Sequence, residues 1–203
     1  MRNTIDEAIV KRKLGEIADI QLGYPTKGRV KPINGSPFRL VQIKDFDEDR
    51  NLQVERLTPF EPPRHPSAFL LQPGDVLFLS RGHDNWAVFM GRNMGNLIPV
   101  AYFFIIRPNT GEVLPSFLAW YLNSPPAKVF MESLARRGSH MPVVPKSALV
   151  DLPVDVPPMP VQQAIAELDR LGRCERQIEK RLAERRALLV SRITLQAARN
   201  HSK

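Results

Sequence analysis

The sequence predicts an α+β protein: a β-rich domain with short helices, followed by one long C-terminal α-helix. Three observations lead there. Up to about Asp151 the chain is a series of short apolar runs broken by proline and glycine, the pattern of short strands joined by turns. At Asp151–Ile165 (DLPVDVPPMPVQQAI) the pattern changes within a few residues. Beyond Pro160 there is no proline, and apolar residues recur at steps of three and four. The boundary therefore falls between Val156 and Pro157, giving a domain at 1–156 and a helical arm at 157–203.

The first residues, MRNTIDEAIVKRKLGEI, are polar and charged and lack the apolar centre and cleavage site of a signal peptide. Leu14, Ile17 and Ala18 suit a helical turn, and Ile20 and Leu22 the start of a strand. Gly23–Gly35 (GYPTKGRVKPING) is a loop that carries Lys27, Arg29 and Lys31. PFRLVQIKDF is a strand with Leu40, Val41 and Ile43 apolar, and DEDRN is a turn. Leu57–Pro66, with four prolines, is extended or irregular. Pro73-Gly74-Asp75 is a turn signal, and DVLFLS at 75–80 is a strand apolar enough to be buried on both faces. A polar turn, Arg81–Asn85, ends at Trp86, and Ala87–Met90 and Val100–Ile106 are two more strands.

Helix follows at Leu114–Leu134. Leu114, Phe117, Leu118, Tyr121 and Leu122 form a face of period 3.6, and a second piece begins after Pro125-Pro126. Arg136-Arg137-Gly138-Ser139-His140 is a basic loop, and VVPKSALVDLPV returns to strand and turn. At the junction Leu152, Val154 and Val156 alternate. Pro157 and Pro158 stop the ladder because proline has no N–H to donate. Pro160 sits in the first helical turn, where a missing N–H costs nothing. In the arm, Leu168, Leu171, Ile178, Leu182, Leu189 and Ile193 share one face, interrupted by Glu175 and Arg185. A helix of some 35 residues is on the order of 50 Å long, too long to be covered by so small a body. It is expected to pair with a second helix, in a coiled coil between chains or on another subunit.

The net charge is +8 with a pI near 10.0. Arg170–Lys203 holds ten basic and three acidic residues, hence +7; the other 169 residues hold 19 and 18, hence +1. A basic helix points to nucleic acid, a membrane surface or an acidic protein, or is simply a solvated face. The one cysteine, Cys174, excludes an intramolecular disulfide and a cysteine zinc cluster, and a cytoplasmic location is the default. No run of about 20 apolar residues is present to span a bilayer.

The chemistry of catalysis is missing. There is no P-loop, GxGxxG, HExxH or GxSxG, and His65, His83, His140 and His201 lack ligand spacing. No metal or cofactor is expected of this chain, and an enzyme is left only the route of a site assembled in space, with His83 or His140 hydrogen-bonded to a carboxylate in a buried polar cleft. Polar and basic loops remain as candidates for DNA binding: Tyr24, Lys27, Arg29 and Lys31; Arg81, His83 and Asn85; the loop Arg92–Asn96; and Arg136, Arg137, Ser139 and His140. Arg and Lys bind phosphate, and Arg, Asn, Ser and His can also read base edges. Tyr24 and Trp86 are candidates to pack on sugar or base. Each loop alone reads as well as a solvated turn; their number, beside a basic arm, leans towards nucleic acid. The near-neutral body argues against strong non-specific binding.

The order of these segments resembles the specificity (S) subunit of type I restriction–modification systems. The matching stretches are LGEIADIQLGYPTKG, RLVQIKDFD, LQPGDVLFLSRG, VAYFFIIRP, LPSFLAWYLNS and GSHMPVVPKSALVDLPVDVPPMPVQQAIAEL. The most specific feature is Pro157-Pro158, then Gln162 or Gln163 and Ile165, leading into a long helix. The resemblance implies that 1–156 is a target-recognition domain for double-stranded DNA. It implies that the arm packs antiparallel on a second such helix as a spacer, and that methyltransferase and restriction subunits assemble on it. S-adenosylmethionine would be bound by the partner methyltransferase, not by this chain. Full-length members carry two recognition domains and two helices. One of each implies a half-length form, expected as a homodimer, or a piece of a longer protein. The alternative is a scaffold or regulator that binds no DNA and holds a methyltransferase through its arm.

Overall fold

The computed structural model describes residues 9–26, 28, 30–64, 66–82, 84–134 and 142–200. The chain folds as two units, Met1–Ala166 and Glu167–Lys203. The strands are β1 (Val10–Lys13), β2 (Ala18–Leu22), β3 (Phe38–Val41), β4 (Thr58–Pro59), β5 (Val76–Leu79), β6 (Ala87–Phe89), β7 (Asn96–Pro99), β8 (Phe103–Pro108) and β9 (Pro153–Val156). The helices are α1 (Leu14–Ile17), α2 (Pro115–Leu122), α3 (Pro125–Leu134), α4 (Lys146–Val150) and α5 (Met159–Asn200). The α+β expectation, with one long helix at the end, is what the chain adopts.

In the first unit an antiparallel sheet of order β2-β8-β5-β6 lies at the centre. A second sheet has the order β4-β3-β7, with β3 and β7 parallel, and β1 pairs with β9 in an antiparallel ribbon. Successive side chains of a strand point to opposite faces, and here both faces are covered. Val76 and Phe78 of β5, with Phe104 and Ile106 of β8, enter a core closed by Leu14, Ile17, Phe117, Leu118, Leu122 and Leu149 from the short helices. Leu77 and Leu79, with Phe103 and Ile105, enter a second core completed by Leu40, Val41, Leu97 and Ile98 of the three-stranded sheet. No residue of β5 is more than 4% exposed, as its unbroken apolar run predicts. Burying each such side chain contributes about 2 kcal/mol, so the two cores outweigh any surface pair in fixing the body.

The turn before β5 forms at Gly74, whose φ of +100° suits glycine. It places Asp75 at 1% exposure. Asp75 accepts the Gln72 N–H at 2.8 Å and both Nε and Nη2 of Arg107, at 2.8 and 2.9 Å. Hydrogen bonding to Asp75 raises the Arg107 pKa further, despite partial burial.

Four local elements differ from the sequence reading. The strand expected at Val100–Ile106 starts only at Phe103, because the Phe103 N–H turns back to the Val100 carbonyl, and the connection before it holds β7, which pairs in parallel with β3. Residues 146–150 form α4, not strand, because Pro145 supplies an extended N-cap and one helical turn buries Ala148 and Leu149. β1 carries no alternation; it exists because β9 pairs with it, from Val10↔Val156 to Lys13↔Pro153. The strand at PFRLVQIKDF stops at Val41, where a 3₁₀ turn at Ile43–Asp45 begins. Asp45 closes that turn by accepting the Gln42 N–H at 2.8 Å, and burial pushes its carboxyl pKa up.

At the junction β9 gives way to α5 after Pro157 and Pro158, and the N–H groups of Val161 and Gln162 both reach the Pro158 carbonyl. Gln162 is 1% exposed. Its Oε1 accepts the Leu114 N–H at 2.7 Å, and its Nε2 donates to the carbonyls of Glu112 at 3.1 Å and Pro157 at 2.8 Å. Gln163 is exposed. The first two turns of α5, to Ala166, therefore belong to the body. The second unit continues α5, whose 42 residues correspond to about 63 Å. No helix among the described residues is long and apolar enough to cross a membrane.

Candidate nucleic-acid interface

The site begins where β2 ends. Gly23 donates to the Phe103 carbonyl and Tyr24 to that of Pro99, so the chain runs hard against the β7–β8 connection. A Cβ at Gly23 would lie 2.4 Å from the Val100 carbonyl oxygen, which is why glycine stands there. Tyr24 forms a parallel bridge with Val100. Its ring packs edge-on against Phe69 at 5.1 Å and Phe60 at 5.6 Å. The Tyr24 ring thus anchors the loop that follows it.

That loop forms one wall of a cleft of about 880 Å³. Pro25, Thr26, Gly28, Val30 and Pro32 come from the loop; Gln42, Ile43 and Lys44 from the exit of β3; Thr58 from β4; Arg81 from the end of β5; and Val100–Tyr102 from the β7–β8 connection. The Gln42 Nε2 donates to the Thr58 hydroxyl at 3.2 Å. Lys44 and Arg81 are exposed. Among the described residues neither forms an ion pair with a carboxylate.

The β5–β6 turn is held from both sides. Ser80, 2% exposed, donates through its N–H and its hydroxyl to the Tyr102 carbonyl, each at 2.9 Å. Its own carbonyl accepts the Val144 N–H at 2.8 Å. Arg81 bridges Val143, and Gly82 (φ +106°) donates to the Pro142 carbonyl. The segment 142–144 is therefore tied to the β5–β6 turn. Beyond Gly82, Asp84 takes Arg50 and Lys128 as ion partners at 3.1 and 3.4 Å. The Asn85 amide donates to the Leu79 carbonyl at 2.9 Å. Trp86 is 7% exposed, between Phe46 and Phe103, so its ring is part of the core and offers no stacking face to a base. The Arg50 guanidinium lies 5.9 Å from that ring and donates to the Asn123 Oδ1.

Of the residues named from sequence, the structure brings Arg81 to the cleft, sets Tyr24 behind its wall, and leaves Lys31 exposed on the same loop. Asn85 serves the turn itself. Lys27, Arg29, His83, Arg136, Arg137, Ser139 and His140 lie outside the described residues. Sequence reasoning missed Gln42, Lys44, Thr58 and Tyr102. The Gln42–Asp45 spacing, with Asp45 able to cap a turn, was the one available signal that the strand ends and turns Lys44 outward. No group of three or more His, Cys, Asp or Glu among the described residues is placed to hold a metal ion.

The second unit presents Leu168, Leu171, Ile178, Leu182, Leu189 and Ile193 to solvent, each between 46% and 69% exposed. At 100° per residue they fall within an arc of about 80°. Charged residues off this stripe pair along the helix, Arg170 with Glu167 at 2.7 Å and Arg173 with Asp169.

No family model and no curated protein matches the chain. Its fold is similar to that of solved type I restriction–modification S subunits. The S subunit from M. genitalium aligns with a TM-score of 0.53 at 13% identity, over 83% of this chain and 39% of that one. The HsdS subunit from Thermoanaerobacter tengcongensis aligns with a TM-score of 0.57 at 19% identity, over 90% and 47%. A chain from a study of complex assembly and conformational transition in the type I R-M system gives 0.61 at 19% identity, over 90% and 43%. This chain spans less than half the length of each.

Proposed function

We propose that this chain acts as a specificity subunit of a type I restriction–modification system, supplying one recognition domain and one helical arm. The body reads a short stretch of double-stranded DNA. The arm pairs with the arm of a second copy and carries the methyltransferase, which brings S-adenosylmethionine and does the chemistry in the cytoplasm. A restriction subunit completes the assembly. The chain itself catalyses nothing. The observation that carries this reading is the cleft: segments distant in sequence converge on it, bringing Lys44 and Arg81 with no carboxylate paired to either among the described residues, in a fold similar to that of S subunits. Such a wall combines charge for phosphates with Gln, Thr and Arg for base edges.

The test is selection from random double-stranded oligonucleotides by the full chain, alone and with its methyltransferase, followed by sequencing of the bound pool. A split, two-fold symmetric motif is expected, since a two-fold dimer presents two identical half-sites. Recovery of no motif in either arm overturns the reading.

The arm gives a separate prediction. The apolar stripe on α5 is exposed along its whole length in the single chain, so the wild-type protein is expected to run as a dimer on sizing with light scattering. Leu182→Glu puts a charge into the centre of that stripe and is expected to shift the protein to monomer. A dimer unchanged in the variant removes Leu182 from the seam. A second reading, a scaffold that binds no DNA, is favoured by one number, the +1 charge of the 169 residues outside Arg170–Lys203. It predicts no DNA retention at low salt and salt-insensitive binding to the methyltransferase.

A further inference from the structure

Within the cleft one side chain is set apart by how it is held. The backbone of Arg81 is fixed on both sides, by the paired Ser80 bonds to Tyr102 and by the Val143 bridge and Gly82 bond that follow. Its guanidinium lies over the Tyr102 ring, 4.7 Å from the centroid. Stacking of this kind uses the face of the guanidinium and leaves its in-plane N–H groups free to point outward. Tyr102 is itself 44% exposed, and both residues line the cleft.

A planar fork held by its face fits a planar pair of acceptors. In the major groove that pair is O6 and N7 of guanine. The described wall around it also holds Lys44, Gln42, Thr26 and Thr58. We propose that Arg81, stacked on Tyr102, reads a guanine of the target through O6 and N7 and is the specificity-determining residue of this cleft. The proposal rests on the DNA-reading function above.

The experiment uses the duplex that the selection yields. Each guanine of the motif is replaced in turn by 7-deazaguanine, which keeps base pairing and removes the N7 acceptor. Binding by the wild-type chain is compared with Arg81→Ala and Tyr102→Leu, both at exposed side chains. At one guanine per half-site the replacement is expected to weaken wild-type binding about 10- to 100-fold. For Arg81→Ala the same replacement has no further effect, while the other positions keep theirs. Tyr102→Leu is expected to give an intermediate loss at that position alone. The salt dependence of binding should be unchanged in Arg81→Ala. A uniform loss across all positions, with a salt slope smaller by about one, would make Arg81 a phosphate contact and overturn the proposal. A motif without any N7-sensitive guanine also overturns it while leaving the proposed function intact. Failure to select any motif overturns both.

Discussion

Gln162→Leu is expected to lower the stability of the body by about 3 kcal/mol. The substitution keeps the size of the side chain and removes three hydrogen bonds. It orphans the Leu114 N–H and takes the amide donor from the carbonyls of Glu112 and Pro157. Each unsatisfied buried group costs about 1–3 kcal/mol; partial access to water keeps the sum near the lower end. Gln163→Leu, one residue on and exposed, should stay within about 0.5 kcal/mol. Urea unfolding followed by Trp fluorescence measures both. A loss below 1 kcal/mol for Gln162→Leu would show that the amide does not clamp the start of α5. Gln162→Glu adds a sharper check: it retains an acceptor for Leu114 but sets a carboxylate against two carbonyls, so it should be no better than leucine.

The second large effect is expected at the Asp75–Arg107 pair. Breaking a buried pair by removing one partner costs about 3–5 kcal/mol, because the other charge is left without compensation. Asp75 is the buried member at 1% exposure, while the Arg107 side chain is 39% exposed. Arg107→Met is therefore expected near the lower figure, about 3 kcal/mol. Adding Asp75→Asn to that variant removes the stranded charge and should recover a clear part of the loss. Additive losses in the double variant would show that the two side chains do not act as a pair. The exposed pairs Lys11–Asp155 and Lys13–Asp151, all four side chains more than half exposed, are expected to contribute about 0–1 kcal/mol each by the same measurement.

What could be read from the sequence was what rests on periodicity and on proline. The stripe from Leu168 to Ile193, the stop at Pro157-Pro158 and the buried run Val76–Leu79 each follow from spacing along one segment. What could not be read depends on partners far away in the chain. β1 is charged after Val10, without alternation, and is a strand only because β9 lies beside it. α4 is a single turn, too short for a period to show. The cleft is the extreme case: Gln42, Thr58, Arg81 and Tyr102 come from four separate segments, and no local pattern joins them. Trp86 misled for the opposite reason. It follows a polar turn, yet its ring is drawn into the core between Phe46 and Phe103, where the area it buries outweighs any surface role.

The double-faced burial of β5 has a consequence for variation. All four of its side chains serve the two cores, and the turn that follows is held by main-chain bonds from Ser80 and Gly82 together with the Ser80 hydroxyl and the Asn85 amide. Substitution at Arg81 changes neither the cores nor those main-chain bonds. Tolerance to mutation is thus greatest where the cleft presents its side chains and least a residue or two inward. A molecule built this way can exchange the side chains at the rim of its cleft and keep its foundations, whether the exchange is made by natural drift or by an engineer grafting one turn onto another.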